Sequence, residues 1–169
     1  IDLSDYGNGI DESLTSLMDS LKDVDLRIRL GSLEVNVITR ELLTALKSLK
    51  AFCPSFHLSL QTGEDSVLKS MNRHYTTEQY YSKIQLIREY FPMASITTDV
   101  IVGFPTETDE KFNSTLEFVK RVGFSNVHVF PYSAREGTLA YRKYKPLDKS
   151  VLKEREKALV KVKEEDRIN

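Results

Sequence analysis

Short apolar runs alternate with amphipathic stretches along the whole chain, and this alternation most constrains what the chain can fold into. It is the pattern of strand–helix units, in which a parallel sheet is covered by the helices that join its strands. Asp11 can cap a helix carrying Leu14, Leu17, Met18 and Leu21 at i, i+3, i+4, i+7 spacing. Leu26 to Leu30 alternates as a strand and breaks at Gly31. The span from Thr39 to Leu49 predicts a second helix with Leu42, Leu43, Leu46 and Leu49 inward. Phe56 to Leu60 reads as the next strand, ending at Thr62-Gly63. A short helix from Glu64 to Asn72 and a longer one from Thr77 to Tyr90 follow. Ile96 to Val102, rich in β-branched residues, is a strand closing at Gly103-Phe104-Pro105. Thr106-Glu107-Thr108-Asp109 carries a helix-capping pattern, Gly123 stands where a terminal glycine belongs, and Val127 to Phe130 is a further strand.

Parallel strands with helical crossovers build an open doubly wound sheet or a barrel. No glycine-rich nucleotide loop follows any strand, which weakens the dinucleotide-binding version and favours a partial (β/α) barrel. With 169 residues, 40% hydrophobic and 29% charged, the chain has the composition of an ordinary soluble domain. Its net charge of −1 leaves nucleic-acid binding to local patches. No apolar run reaches the roughly 20 residues of a membrane span, so no membrane partner is expected, and the expected location is cytoplasmic. Ile1-Asp2-Leu3-Ser4 reads as the tail of a strand that begins upstream, so the barrel is expected to be truncated at its N-terminal strand. The expected division is a core over 1–147 and a charged terminal helix over 148–169 that leads to a further domain.

In such a barrel the chemistry sits at the C-terminal ends of the strands. Those ends carry Ser32 and Glu34; Ser59, Gln61 and Thr62; Thr98, Asp99 and Gly103; and Tyr132, Ser133 and Arg135. None is a nucleophile with an adjacent base, and His57, His74 and His128 lie in separate contexts without metal-ligand spacing. What remains is a polar rim suited to a hydroxyl-rich ligand such as a ribose joined to an amino acid. Asp99 stands out, because a carboxylate in an apolar strand must pair, bind or protonate.

Arg29-Leu30-Gly31-Ser32-Leu33-Glu34, His57-Leu58-Ser59-Leu60-Gln61, Met71-Asn72-Arg73-His74-Tyr75-Thr76, Thr98 through Pro105, and Pro131-Tyr132-Ser133 through Gly137-Thr138 occur in that order. Together they resemble the radical S-adenosylmethionine core of the methylthiotransferases, over nearly the whole chain. Ile1 to Gly7 and Val129 to Ser133 most resemble the branch acting on threonylcarbamoyladenosine next to the tRNA anticodon. The resemblance implies a radical S-adenosylmethionine barrel, S-adenosylmethionine and two iron–sulfur clusters in a longer parent protein, and the tRNA anticodon region as partner. It implies a Cys-x-x-x-Cys-x-x-Cys loop for one cluster, whereas this chain has the single Cys53, whose ordinary reading is a small buried apolar residue. The chain alone is therefore expected to bind no cluster or cofactor, to be inactive, and to carry no catalytic or metal-ligating residue of its own.

Carried onto matching positions, the resemblance places Ser32, Glu34, Ser59, Gln61, Arg73, Asp99, Ile101 and Gly103 toward the cofactor, with Gln61 and Ser59 at its ribose and Ile101 as an apolar contact. Arg73 suits a carboxylate or phosphate. Val35 stands where the family has proline, and Thr62 where serine is commoner. Arg135, Arg142, Lys143 and Lys145, interleaved with Tyr141 and Tyr144, form a candidate RNA-binding loop. Exposed strand edges of a truncated barrel predict self-association of the chain. The rival readings are a cluster-free standalone (β/α) domain binding a nucleotide or partner protein, and an unrelated aldolase-like barrel, disfavoured because no lysine ends a strand.

Overall fold

A computed structural model describes Leu3, Tyr6, Gly7 and residues 13–165. These form helices α1 (Leu14–Ser20), α2 (Arg40–Ser48), α3 (Asp65–Ser70), α4 (Thr77–Tyr90), α5 (Asp109–Val122), α6 (Leu139–Lys143) and α7 (Lys149–Glu165), with strands β1 (Ser32–Leu33), β2 (Ser55–Leu58), β3 (Ser95–Val102) and β4 (Asn126–Pro131). The sheet order is β1-β2-β3-β4, and the β1–β2 and β2–β3 pairs are parallel. Parallel neighbours need a crossover, and here helices supply it. A doubly wound sheet would reverse its order at a switch point. The strands instead follow one another in chain order, which is the progression of a barrel wall.

The chain divides into two compact units, Ile1–Ser59 with Glu78–Thr97, and Leu60–Thr77 with Thr98–Asn169. In the first, Ser32 pairs with His57 and Leu33 with Leu58, while Ser55, Phe56 and His57 pair with Ser95, Ile96 and Thr97. Phe56 and Leu58 are buried, and His57 turns to the other face, where its Nδ1 lies 2.8 Å from Thr97 Oγ1. Thr39 caps α2 by accepting from the Leu42 amide, and Leu42, Leu43 and Leu46 are at most 1% exposed. Each such leucine contributes about 1.5–3 kcal/mol. Tyr80 of α4 is fully buried and donates its hydroxyl to the Leu58 carbonyl at 2.7 Å.

In the second unit α7 packs on β4 and on α5. Phe112, Phe118, Val119 and Val122 of α5 are buried, as are Leu159 and Val162 of α7. Gly123 ends α5 at φ 65°, donating its amide to the Val119 carbonyl.

Three local expectations change. Leu26 to Leu30 is not a strand: Ile28 alone forms a bridge, to Phe52, and Leu26 is 69% exposed. Of its alternating apolar residues only Leu30 is buried, so the pattern has no core to face along most of its length. Asp11 lies outside the described residues; the cap of α1 is Ser13, in a reciprocal box with Ser16. The cap of α5 is Thr108, accepting from the Lys111 amide, so Thr106 and Glu107 belong to the preceding turn.

Candidate functional site

The predicted residues are divided between the units. In the first, Ser32 sits exposed in β1, Glu34 opens a 3-10 turn over Val35–Val37, and Ser59 follows β2 half-buried. Val35, for all its difference from proline, is buried and accepts from the Ile38 amide.

In the second unit the backbone brings three predicted residues together. Gln61 donates its amide to the Asp99 carbonyl at 2.9 Å and accepts from the Ile101 amide at 2.8 Å. Asp99 and Ile101 are half-buried and alternate with the fully buried Val100 and Val102, so they share the face of β3 away from the core. Asp99 is thus not the deeply buried carboxylate that its apolar neighbours in sequence suggested. Gln61 has φ 71°, a left-handed conformation unfavourable for a side-chain-bearing residue. Strain held in place at a strand end is a mark of a functional position rather than proof of one.

The surrounding polar residues explain how that conformation is held. Thr98 and Thr62, placed on the rim from sequence, are both fully buried. Thr98 Oγ1 accepts from the Leu60 amide, and Thr62 pairs with Thr115 Oγ1, which also accepts from the Gly63 amide. They brace the loop instead of facing a ligand. Tyr75 donates its hydroxyl to the Leu60 carbonyl at 2.8 Å, tying the Met71–Thr76 segment to the strand end. Asn72 reverses the chain there at φ 58°, and the Arg73 amide reaches back to the Leu68 carbonyl. Arg73 is half-buried just beyond this turn.

Gly103 ends β3 at φ 77° and donates its amide to Glu107 Oε1 at 2.8 Å. Glu107 is 2% exposed and receives Arg155 Nη1 on the same oxygen at 2.7 Å. Burial pushes the Glu107 carboxyl above its ordinary value, against the opposing pull of the Gly103 amide and the Arg155 guanidinium. Sequence reasoning missed both residues. A glutamate inside a capping pattern carries no sign of burial, and its arginine lies 48 positions away.

The basic segment also differs from expectation. Arg135, Arg142, Lys143 and Lys145 are exposed, but Arg142 and Lys143 lie on α6 rather than in a loop. Thr138 caps α6 through the Tyr141 amide and donates its hydroxyl to the Arg135 carbonyl. Tyr144 packs edge-on against Phe104, and Lys143 Nζ lies 5.3 Å from its ring centre.

Residues 10–119 match the radical SAM superfamily. The chain belongs to that superfamily. This radical SAM chain is 41% identical over 157 residues to the threonylcarbamoyladenosine tRNA methylthiotransferase MtaB of Thermotoga maritima, covering 92% of the chain and 36% of the relative. It is 38% identical over 164 residues to the tRNA-2-methylthio-N(6)-dimethylallyladenosine synthase of Pelotomaculum thermopropionicum, covering 95% and 37%. The chain thus spans well under half the length of the curated relatives it matches. In fold it is similar to coproporphyrinogen III oxidase (HemN) of Escherichia coli, at TM-score 0.70 and 21% identity over 90% of the chain and 36% of that structure. The partial barrel is the architecture that this similarity supports.

The superfamily implies an iron–sulfur cluster and S-adenosylmethionine. The residues present do not fit the cluster: the sole thiol, Cys53, is half-buried ahead of β2, where Arg27 Nη2 donates to its Sγ at 3.5 Å. It is neither fully buried, as its sequence context suggested, nor one of three converging thiolates. The Gln61–Asp99–Ile101 group does fit an adenosyl ligand, with polar side chains beside an apolar one at a strand end.

Proposed function

We propose that this chain is the cofactor- and RNA-facing part of a tRNA methylthiotransferase that adds a methylthio group to a modified adenosine next to the anticodon. The threonylcarbamoyl form is the favoured substrate. The observation that carries the reading is the strained Gln61, locked by two backbone bonds beside Asp99 and Ile101 at the position where the resemblance puts the cofactor ribose. Gln61 and Asp99 orient the adenosyl group through hydrogen bonds, Ile101 excludes water from its base, and Arg73 holds an anionic group. The Gly103 end of β3 supplies backbone. The exposed Arg135, Arg142, Lys143 and Lys145 meet tRNA phosphates, with Tyr141 available for stacking. When bound, S-adenosylmethionine and its cluster supply the radical chemistry; the cluster thiolates come from outside this chain. The chain alone is inactive, and the longer enzyme works in the cytoplasm where tRNA is modified.

The test compares the gene's longest reading frame with this chain, each anaerobically reconstituted with iron and sulfide. Nucleosides of tRNA carrying threonylcarbamoyladenosine or dimethylallyladenosine are then analysed by mass spectrometry. Methylthiolation of the first by the longer protein, and by it alone, is the expected result. Product on the second only would overturn the substrate branch. Deoxyadenosine release by the chain alone would overturn its inactivity.

A further inference from the structure

We propose that Arg155 of α7 is a positioning residue that sets the end of β3 through Glu107. The buried guanidinium spans the whole turn after that strand. Nη1 donates to the Glu107 carbonyl at 3.1 Å and to Glu107 Oε1 at 2.7 Å, and Nη2 donates to Asp109 Oδ1 at 2.9 Å. Its carbon Cζ also lies 5.4 Å from the Phe112 ring centre. One planar group therefore fixes the main chain of the turn, its buried carboxylate and the first residue of α5 at once, which a lysine's single ammonium cannot do.

The carboxylate passes that placement on. Glu107 Oε1 receives the Gly103 amide as well as Arg155, so the guanidinium holds the oxygen that anchors the first residue after β3. Two residues before Gly103 stands Ile101, and two before that Asp99, on the strand face assigned above to the ligand. From α7 the side chain of Leu152 closes on Gly103: a Cβ there would lie 1.7 Å from Leu152 Cδ2. In the other direction Phe104 packs against Tyr132 at 5.1 Å and Tyr144 at 5.9 Å between ring centres. The Gly103–Glu107 turn is thus the point at which α7, the strand end and the basic segment meet. Replacing a buried ion pair by apolar residues is often neutral for stability, since desolvation offsets most of the attraction. Here its geometry fixes a backbone amide.

The bearing of this on catalysis rests on the function proposed above, but the test does not, so the two can fail separately. Amide hydrogen exchange is followed by NMR on this chain in wild type, R155M, R155K and the double variant E107Q/R155M. In R155M the Gly103 amide should exchange about tenfold faster or more, the factor expected for a lost charge-assisted hydrogen bond. Amides in the middle of α5, such as Val119, should change less. R155K should recover part of the protection. E107Q/R155M should recover the melting temperature by removing the unpaired buried charge, while Gly103 stays unprotected. Equal acceleration at Gly103 and Val119 would reduce Arg155 to general stability, and wild-type protection of Gly103 in R155K or the double variant would overturn the proposal outright. If R155M fails to fold, R155K and the double variant decide.

Discussion

Replacing Gly103 by alanine separates two costs that act at one residue. The first is conformational: φ is 77°, where an L side chain meets its own backbone and the residue loses about 1–2 kcal/mol. The second is packing, because the new methyl would lie 1.7 Å from Leu152 Cδ2 and 3.2 Å from its Cγ. Overfilling a packed site costs about 1–3 kcal/mol, and the lower half applies here because Leu152 is only half-buried and can swing away. G103A should therefore lose about 2–4 kcal/mol in total. Gly137 provides the control, with φ 87° and nothing within 4 Å of the methyl that alanine would add, so G137A should show the conformational cost alone. Urea unfolding of both variants, and of G103A in an L152A background, measures the difference. In that background the G103A cost should fall to that of G137A. If G103A and G137A lose equal stability with Leu152 present, α7 does not press on the strand end and the packing argument is wrong.

T115V should lose about 1–3 kcal/mol in the same assay, because it strands the buried Gly63 amide and Thr62 hydroxyl; a neutral result would mean that the Thr62–Gly63 loop is braced elsewhere. Glu107 has a folded pKa above its unfolded one, so the native state binds its proton more tightly. Its contribution to stability is therefore largest at low pH and falls as pH rises from the ordinary carboxylate range through the raised value. Glu64 has the opposite slope: burial raises its carboxyl, but hydrogen bonds from Ser66 and the Val67 amide, with the Lys111 charge, outweigh this and leave it lowered. The wild-type minus E107Q difference in unfolding free energy isolates the first slope, and a flat difference would refute it. Q61G should be as stable as wild type or up to about 1.5 kcal/mol more so, since relief of left-handed strain (about 1–2) equals or exceeds the added chain entropy (about 0.5–1); marked loss of stability would show that the side chain serves the fold. In the longer enzyme, R142Q/K143Q/K145Q should weaken tRNA binding and flatten its log–log salt dependence by about 2, at roughly 0.7 per phosphate contact; an unchanged slope would remove these residues from the interface.

The elements legible in the sequence were those with a long, repeated pattern. The helix over Thr77–Tyr90 matches its expected span, and α2 needed only the spacing of Leu42, Leu43, Leu46 and Leu49 with Thr39 in front. A run rich in β-branched residues marked β3 to within one residue. Patterns failed where a tertiary neighbour decides. Leu26, Ile28 and Leu30 alternate as well as any strand, but only Leu30 finds a buried place. Thr106 satisfies the capping pattern with Asp109 and Thr108 does not, yet Thr108 is the cap, directly after a Glu107 buried against an arginine far along the chain. The same limit applies to the site. Gln61, Asp99 and Ile101 could be named from strand ends and resemblance, but the bracing residues Thr62, Tyr75, Thr98 and Thr115 act through contacts that no local pattern records.

Gln61 joins these observations. Its left-handed backbone would suit glycine better, and the bonds to Asp99 and Ile101 are made by backbone atoms that glycine also has. Those two bonds therefore need no glutamine side chain, and the conformation is held by the surrounding bracing of Leu60, Thr62 and Gly63. Under the function proposed above, an amide kept where it opposes local stability, beside a half-buried carboxylate on the face of β3 away from the core, is a group that an adenosyl ligand would use.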